Sequence, residues 1–578
     1  MQSRSLPMPP AAVRPVHALL DAAARAFGAR PALEFLGRRM TYARLADLVG
    51  RAAQGFAELG VGKGVRVGLC LPNTPAFVIS YYAVLKAGGT VVNFNPLYAP
   101  KELEHQVRDS GVRIMVATDL ALVYPKLAAL LAQGDLERIV VFPMAGMLPF
   151  VKGLLFPFAK RAELAAIPRD ARHVFFRQLV ANRGLANPPA IDPETDLAAL
   201  QYTGGTTGVS KGAMLTHANL VANAEQILEC MPDPRPGEER TLAVLPLFHV
   251  FGMTVAMNLG VRLAAEMILV PRFDANEIAR IIERQRPTLF PGVPTIYTAI
   301  SNAVEKRPAD LSSIRTCISG GAPLPAEVRT RFEGLTGCRL VEGYGLSECS
   351  PVVCVNPLDG SARDGSVGRP VRGTVLDIRP LDAPGRLAEV NEPGELCVRG
   401  PQVTRGYWGR EDETPSLFLE GALRTGDVGY RDADGFVFLV DRIKDLILCG
   451  GYNVYPRAIE DALYQHPGVE EAVVVGVPHA YRGQAPRAFV VLRKGESATP
   501  EALRSFLKEH LSPIEMPEEI VIRDSLPKTL VGKLSKKQLL EEERDRLAEP
   551  PAAPGAAPEA AAEAAPRAAA PAAARAQG

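Results

Sequence analysis

The sequence predicts an α/β protein with parallel, helix-covered sheets, followed by a smaller α+β unit. Three observations carry that expectation. Short apolar runs alternate with helical ones from Val65 to Glu342, the grammar of a parallel sheet with crossover helices. From about residue 365 strand-like runs follow one another between Gly/Pro turns, which indicates a small β-rich section. A charged cluster, Asp441-Arg-Ile-Lys-Asp445, then interrupts the pattern. At 578 residues the chain is too long for one compact core, so at least two domains are expected.

Taken in order, Val16, Leu19, Leu20, Ala23 and Phe27 have helical spacing over 16–28, and Thr41 is placed to cap a helix through Leu45, Leu48 and Val49. Runs at 65–71, 90–94, 114–117 and 139–142 read as strands, with helices at 77–86 and 100–109 between them. Further strands are expected at 241–246, 267–270, 288–290, 316–319 and 339–342, and in the β-rich section at 375–379 and 394–399. Beyond the charged cluster, 455–465 is a helix and 472–477 and 488–492 are strands. Thr499-Pro500 supplies an N-cap and a first-turn proline for a helix to Leu511. Residues 547–578 are mostly Ala, Pro and Glu, a composition that does not pack a core. The expected division is a flexible N-terminus at 1–15, a large domain at 16–440, a small one at 441–546 and a disordered tail at 547–578.

Hydrophobic residues make up 47% and charged residues 22%, with 65 Lys plus Arg against 64 Asp plus Glu. That balance is ordinary for a globular protein and does not point to nucleic acid or an anionic membrane as the main partner. The eight cysteines include no C-x-x-C pair and no histidines at ligand spacing, so they read as reduced thiols in a cytoplasmic protein without structural zinc. Prolines 7, 9, 10 and 15 interrupt any signal-peptide core. Leu242–Val261 is uncharged over a membrane-spanning length, but Pro246, His249, Gly252, Asn258 and Gly260 suit the strand-then-turn wall of a buried pocket better. Met144–Phe158 is apolar and broken by Gly and Pro; it either covers a core or touches a membrane surface.

The richest stretch is 201–217, Gln-Tyr-Thr-Gly-Gly-Thr-Thr-Gly-Val-Ser-Lys-Gly-Ala-Met-Leu-Thr-His. Gly204, Gly205 and Gly208 let the backbone approach an anion, Thr203, Thr206 and Thr207 add hydroxyls, and Lys211 adds a positive charge. The result is a phosphate cradle. Its spacing is not that of a Walker A loop: counting from Gly205, the second required glycine falls on Ser210, and Lys211 precedes Gly212. It is not a dinucleotide fingerprint either, because 211–215 reads as a strand and the helix begins only at Thr216.

Four later segments extend the pattern: Gly320-Gly-Ala-Pro-Leu324, Gly343-Tyr-Gly-Leu-Ser-Glu348, Arg424-Thr-Gly-Asp427 and Asp441-Arg-Ile-Lys-Asp-Leu-Ile-Leu-Cys-Gly-Gly-Tyr-Asn-Val-Tyr-Pro456. Pro527-Lys-Thr-Leu-Val-Gly-Lys533 completes them. Together with the cradle, over residues 17–546, the chain resembles the adenylate-forming superfamily and, within it, bacterial long-chain fatty acid–CoA ligases. The resemblance implies a large domain of two helix-covered sheet subdomains with a β-barrel-like section, and a small mobile C-terminal domain. It implies ATP, Mg²⁺ and coenzyme A, with a fatty acid activated to acyl-AMP and then passed to the CoA thiol.

By the same resemblance, Thr203–Lys211 holds the triphosphate, Glu348 is the Mg²⁺ carboxylate with Thr203 as a hydroxyl ligand, and Ser347 bonds the α-phosphate. Tyr344, within Gly343–Gly345, stacks on adenine beside Gly320, Gly321 and Ala322. Asp427 takes the ribose hydroxyls with Arg442 nearby, and His249 lies beside the acyl carboxylate. Lys533 reaches the reacting carboxylate and α-phosphate, so it outranks Lys211 for the chemical step. Lys444 is the hinge of a domain rotation, after which Gly450 and Gly451 line the pantetheine channel.

Three details depart from, or add nothing to, the family pattern. Glu420-Gly-Ala-Leu-Arg424 replaces a common Asp-Gly-Trp, Leu511–Pro517 lacks a common Tyr-Lys, and Trp408 is silent on chain length. An aryl- or short-acid CoA ligase, an acyl-AMP ligase loading a carrier protein, and a non-catalytic nucleotide-binding scaffold are the alternatives. The run from Asp441 into the C-terminal domain lacks the insertion of the carrier-loading enzymes, which favours CoA. A homodimer and a peripheral position on the inner face of the membrane, through 144–158, are compatible with the resemblance.

Overall fold

The computed structural model describes residues 13–203, 210–449, 452–479, 481–528 and 534–548. Three sheets organise them. The first runs, in spatial order, His173–Phe175, Arg138–Phe142, Ile114–Thr118, Arg66–Cys70, Thr90–Asn93, Leu197–Thr203 and Lys211–Thr216. All neighbours are parallel except the last pair, in which Tyr202 faces Gly212 and Thr203 faces Lys211. The cradle therefore joins two antiparallel strands at a sheet edge, and Thr216 caps the following helix, His217–Glu229, by accepting from the Asn219 amide.

The second sheet has a parallel half built on Arg240–Ala243, Glu266–Leu269, Leu289–Gly292, Thr316–Ser319 and Arg339–Gly345. At Arg339–Gly345 the pairing turns antiparallel and continues through Val352–Val355, Ser366–Pro370, Val437–Arg442, Ala422–Arg431, Gly394–Arg399 and Val375–Arg379. The β-rich section is thus the antiparallel continuation of this sheet. The third sheet begins at Ile447–Cys449 and is dominated by Val469–His479 and Gly483–Leu492. Only the short helical turn Ile443–Asp445 separates it from the second.

Between the first two sheets lies the helix Pro75–Lys86, buried from Pro75 to Leu85. Tyr81 and Tyr82 on it bond the buried Asn258 at 3.1 and 2.9 Å. Asn258 belongs to a segment that differs from the sequence expectation. After Arg240–Ala243 the chain forms a wide π-type helix, Gly252–Asn258, that runs into Leu259–Arg262, rather than a strand and turns. The glycines that suggested turns serve close packing instead: a Cβ on Gly252 would lie 2.3 Å from the Pro246 carbonyl oxygen. The helix expected to reach Leu511 also ends earlier, at Leu507.

A buried imidazole makes the large domain's stability pH-dependent. His217 is 1% exposed and its Nδ1 accepts from the Val16 amide at 3.2 Å. Burial pulls its pKa down from 6.5 to about 3, with His17 adding to the fall and Asp196 opposing it. Between those values the unfolded chain binds a proton that the folded one refuses, so stability is full above pH 6.5 and falls as pH drops toward 3. At about 1.4 kcal/mol per pKa unit, the effect is on the order of a few kcal/mol. His217→Asn keeps an acceptor for the Val16 amide and should flatten the dependence of thermal midpoint on pH over that window. An unchanged slope would show that another group carries it.

Candidate active site

The strand Arg339–Gly345 carries Tyr344 to the point where the second sheet changes from parallel to antiparallel pairing. Gly345 is required there, since a Cβ would sit 2.0 Å from the Pro351 carbonyl oxygen. That approach lets the Leu346 amide donate to Pro351 and folds Ser347–Cys349 into a helical turn that begins with Ser347 and contains Glu348. Gly320 and Gly321 follow the neighbouring strand Thr316–Ser319. Gly321 has φ +79°, and the missing Cβ of Gly320 leaves room for the Phe251 ring. Ala322 lies in the same turn, partly exposed.

Three predicted residues meet in one cluster. The buried Tyr344 hydroxyl donates to Asp427 Oδ2 at 2.6 Å, and Arg442 Nε lies 2.9 Å from Asp427 Oδ1. Their strands pair directly, with Asp427 opposite Arg442. Burial and the Asp427 charge raise the Tyr344 phenol. Burial works against the Arg442 charge, but Asp427, Tyr344 and Asp445 outweigh it and raise the guanidinium pKa. Lys444 completes the field: burial and Arg442 push it down to about 8, while Asp445, Asp427 and Glu348 oppose that fall.

Glu348 is 8% exposed and accepts a hydrogen bond from the Tyr407 hydroxyl at 2.7 Å. Tyr407 sits on a strap laid against the strand Lys211–Thr216: Met214 donates to Gly406 at 2.9 Å and Trp408 to Gly212 at 2.8 Å. Lys211 Nζ lies 5.6 Å from the Tyr407 ring centre and is paired with Glu413. The strap thus ties Glu348 to the strand that leaves the cradle. Its importance was not visible in the sequence, where Gly406-Tyr-Trp408 drew notice only for its tryptophan. Tyr202, Asp109 and Arg410 form a further link missed in sequence: Tyr202 donates to Asp109 at 2.5 Å and Arg410 pairs with it at 2.6 Å.

His249 is half-buried, and its Nδ1 accepts from the Phe251 amide at 3.3 Å. The segment before it is held by Asn73, whose side chain bonds Ala243, Leu245 and Leu247. Of the cradle, Thr203 ends its strand and Lys211 begins the next. Gly204, Gly205, Thr206, Thr207 and Gly208 lie outside the described residues, as do Gly450, Gly451 and Lys533. On the C-terminal side, the Arg457 amide donates to Asp441 at 2.8 Å and Lys536 pairs with Glu460 at 3.0 Å. Arg493 reaches Glu327 of the large domain at 2.6 Å.

Comparison with known proteins agrees with this layout. Residues 20–408 match the family described as AMP-binding enzyme, and 458–533 match the AMP-binding enzyme C-terminal domain. The chain is 44% identical over 543 residues to a long-chain-fatty-acid–CoA ligase of Bacillus subtilis, covering 93% of this chain and 96% of that one. It is 40% identical over 530 residues to a long-chain-fatty-acid–CoA ligase of Escherichia coli O157:H7, covering 90% and 92%. Among solved structures, ATP-bound MatB from Rhodopseudomonas palustris superimposes with a TM-score of 0.79 at 29% identity, over 92% of this chain and all of that one.

Proposed function

The chain belongs to the AMP-binding enzyme family, and from that membership we propose that it is an AMP-forming ligase joining medium- or long-chain fatty acids to coenzyme A. The observation that carries the reading is the meeting of Tyr344, Asp427 and Arg442 beside the buried Glu348. A carboxylate whose two oxygens already hold a phenol and a guanidinium is oriented to accept from ribose hydroxyls.

The reaction has two steps. A fatty carboxylate oxygen attacks the α-phosphorus of ATP, the bond to the β-phosphate oxygen breaks, and pyrophosphate leaves. The CoA sulfur then attacks the acyl carbonyl carbon, the bond to AMP breaks, and the thiol proton is released. The first step brings two anions together, so fixed donors and positive charge around the phosphates lower its barrier. Lys211, Ser347 and the cradle through Thr203 and Thr207 supply these, with Gly320–Ala322 and Tyr344 bracketing the adenine. The Glu413 partner of Lys211 is partly exposed and gives way to a triphosphate without leaving a buried charge. His249 positions the acyl carboxylate.

Glu348 fits a magnesium site. It is a buried carboxylate with one phenol donor, and no group of three or more His, Cys, Asp or Glu clusters among the described residues. One carboxylate completed by phosphate oxygens is how magnesium is commonly held beside a nucleotide. The ion, when bound, neutralises phosphate charge. We place the domain boundary at Asp441 and the hinge at Lys444, with Lys533 serving adenylation and Gly450–Gly451 the CoA channel.

Pyrophosphate release with a panel of carboxylic acids tests the reading. Release that grows with chain length through the long fatty acids, followed by CoA-dependent AMP release, is expected. A preference for aryl or short acids would overturn the substrate class, and ATP binding without release would leave a scaffold.

We further propose that residues 144–158 contact a membrane surface. Met144, Met147 and Leu148 are buried, but Phe150 is 86% and Phe158 81% exposed on the helix Phe150–Ala159. No helix among the described residues is long and apolar enough to cross a membrane. An exposed apolar helix that contains Lys152 and is followed by Lys160 and Arg161 suits an anionic lipid surface. Phe150→Ser with Phe158→Ser should weaken sedimentation with phosphatidylglycerol vesicles by about tenfold or more while leaving the thermal midpoint unchanged. Undiminished vesicle binding would remove this helix from the contact.

A further inference from the structure

A cavity of about 830 Å³ opens in the large domain, lined by neither His249 nor any residue of the Tyr344–Asp427–Glu348 cluster. Leu33, Ile79, Phe142, Met147 and Phe176 contribute apolar surface to its lining. That volume lies in the range of sites that enclose a small organic molecule. The charged lining is one-sided: Arg38, Arg39, Arg44, Arg169 and Arg177 stand against the single carboxylate of Asp170.

Most of these charges are engaged. Asp170 accepts from His173 at 2.7 Å, Arg39 pairs with Glu266 at 2.7 Å, Arg44 pairs with Asp47, and Arg38 bonds the Gly146 carbonyl. Arg169 and Arg177 differ. Both are exposed, and neither has an ion pair or hydrogen bond among the described residues. An apolar chamber with two uncommitted guanidinium groups in its lining is complementary to a long-chain anion.

Position strengthens the match. The wall segment Pro143–Met147 leads through Leu148 and Pro149 into the exposed helix Phe150–Ala159, and Lys152 of that helix bonds the Leu36 carbonyl at 2.9 Å. The cavity wall is therefore continuous along the chain with a helix that exposes Phe150, Leu154, Leu155 and Phe158. Its lining includes Pro75 and Ala76, two and three residues beyond the Asn73 that fixes the segment leading to His249.

We propose that this cavity is a second binding site for a long-chain carboxylate, with the chain against Leu33, Ile79 and Phe142 and the anionic head at Arg169 and Arg177. The choice of a fatty acid as occupant rests on the ligase reading above. In that role the site gathers substrate arriving from a lipid surface before it enters the catalytic pocket.

The test uses the full chain and cis-parinaric acid, a fluorescent fatty acid, with the catalytic pocket saturated by a non-hydrolysable fatty acyl-sulfamoyl-adenosine. One equivalent of cis-parinarate should still bind to the saturated protein. Its affinity should fall about tenfold or more in Arg169→Glu with Arg177→Glu, and the corresponding alcohol should bind that much more weakly than the acid. No binding to the saturated protein, an unchanged affinity in the double variant, or equal binding of the alcohol would each overturn the site. Displacement by phosphatidylglycerol vesicles at constant free probe would assign it to membrane lipid instead. A chain without adenylation chemistry would fail to bind the sulfamoyl-adenosine yet still hold the arginine-dependent equivalent, so the two readings fail separately.

Discussion

Lys533→Ala is expected to abolish acyl-AMP formation while leaving conversion of supplied acyl-AMP to the thioester largely intact. Removing a fixed donor from developing transition-state charge commonly costs on the order of a hundredfold to a thousandfold in rate, and a charged lysine between two anions belongs at the upper end. The selectivity follows from the hinge. The second sheet ends at Arg442 and the third begins at Ile447, with one helical turn between them. In the proposed reaction a rotation there would present one face of the small domain for each half-reaction. The next residue in sequence, Leu534, pairs with Lys528 and packs against the cluster of Val473 and Val475. The substitution should therefore leave thermal stability unaltered. Pyrophosphate exchange and thioester formation from synthetic acyl-AMP, measured separately, decide the matter. Equal loss of both would remove the domain alternation.

Much of the site was legible because its chemistry is concentrated in short glycine-marked segments. Tyr344, Asp427 and Arg442 stand far apart in sequence, yet the structure joins them through direct bonds. Tyr344 and Arg442 stand at the ends of their strands, and Asp427 follows Gly426, which has φ +70°, within its own; glycine and polar residues are conspicuous in all three. Tyr407 was not legible for the opposite reason. Its strap has little secondary structure of its own, and its role comes from pairing with a strand that starts at Lys211. The helix from Gly252 to Arg262 was missed because it is buried almost all round. Such a helix has no polar face, so no 3.6-residue period marks it. The arginine-rimmed cavity escaped notice likewise, because its walls come from the hairpin at 31–41, a buried helix and the 169–178 segment. Only the tertiary fold gathers them.

Glu348→Gln should be the most damaging change within the described large domain, lowering adenylation by on the order of a hundredfold or more and raising the magnesium concentration needed for half-maximal rate. The amide keeps an oxygen for the Tyr407 hydroxyl and the shape of the turn, so what is lost is the negative charge. Tyr407→Phe isolates the other half of the contact. It leaves the carboxylate without its donor at 2.7 Å, a bond to a charged group worth about 1.5–3 kcal/mol, and should reduce the rate by a smaller factor with little change in magnesium dependence. Structural damage would follow a different order. The neutral amide avoids the desolvation cost of a buried charge, and the Thr404 amide still donates to the residue 348 carbonyl. The Gln variant should thus be as thermostable as the parent chain and nearly inactive, whereas a purely structural Glu348 would yield a less stable chain with its magnesium dependence intact. Magnesium titrations of both variants, read beside their thermal midpoints, separate a metal-binding carboxylate from a structural one.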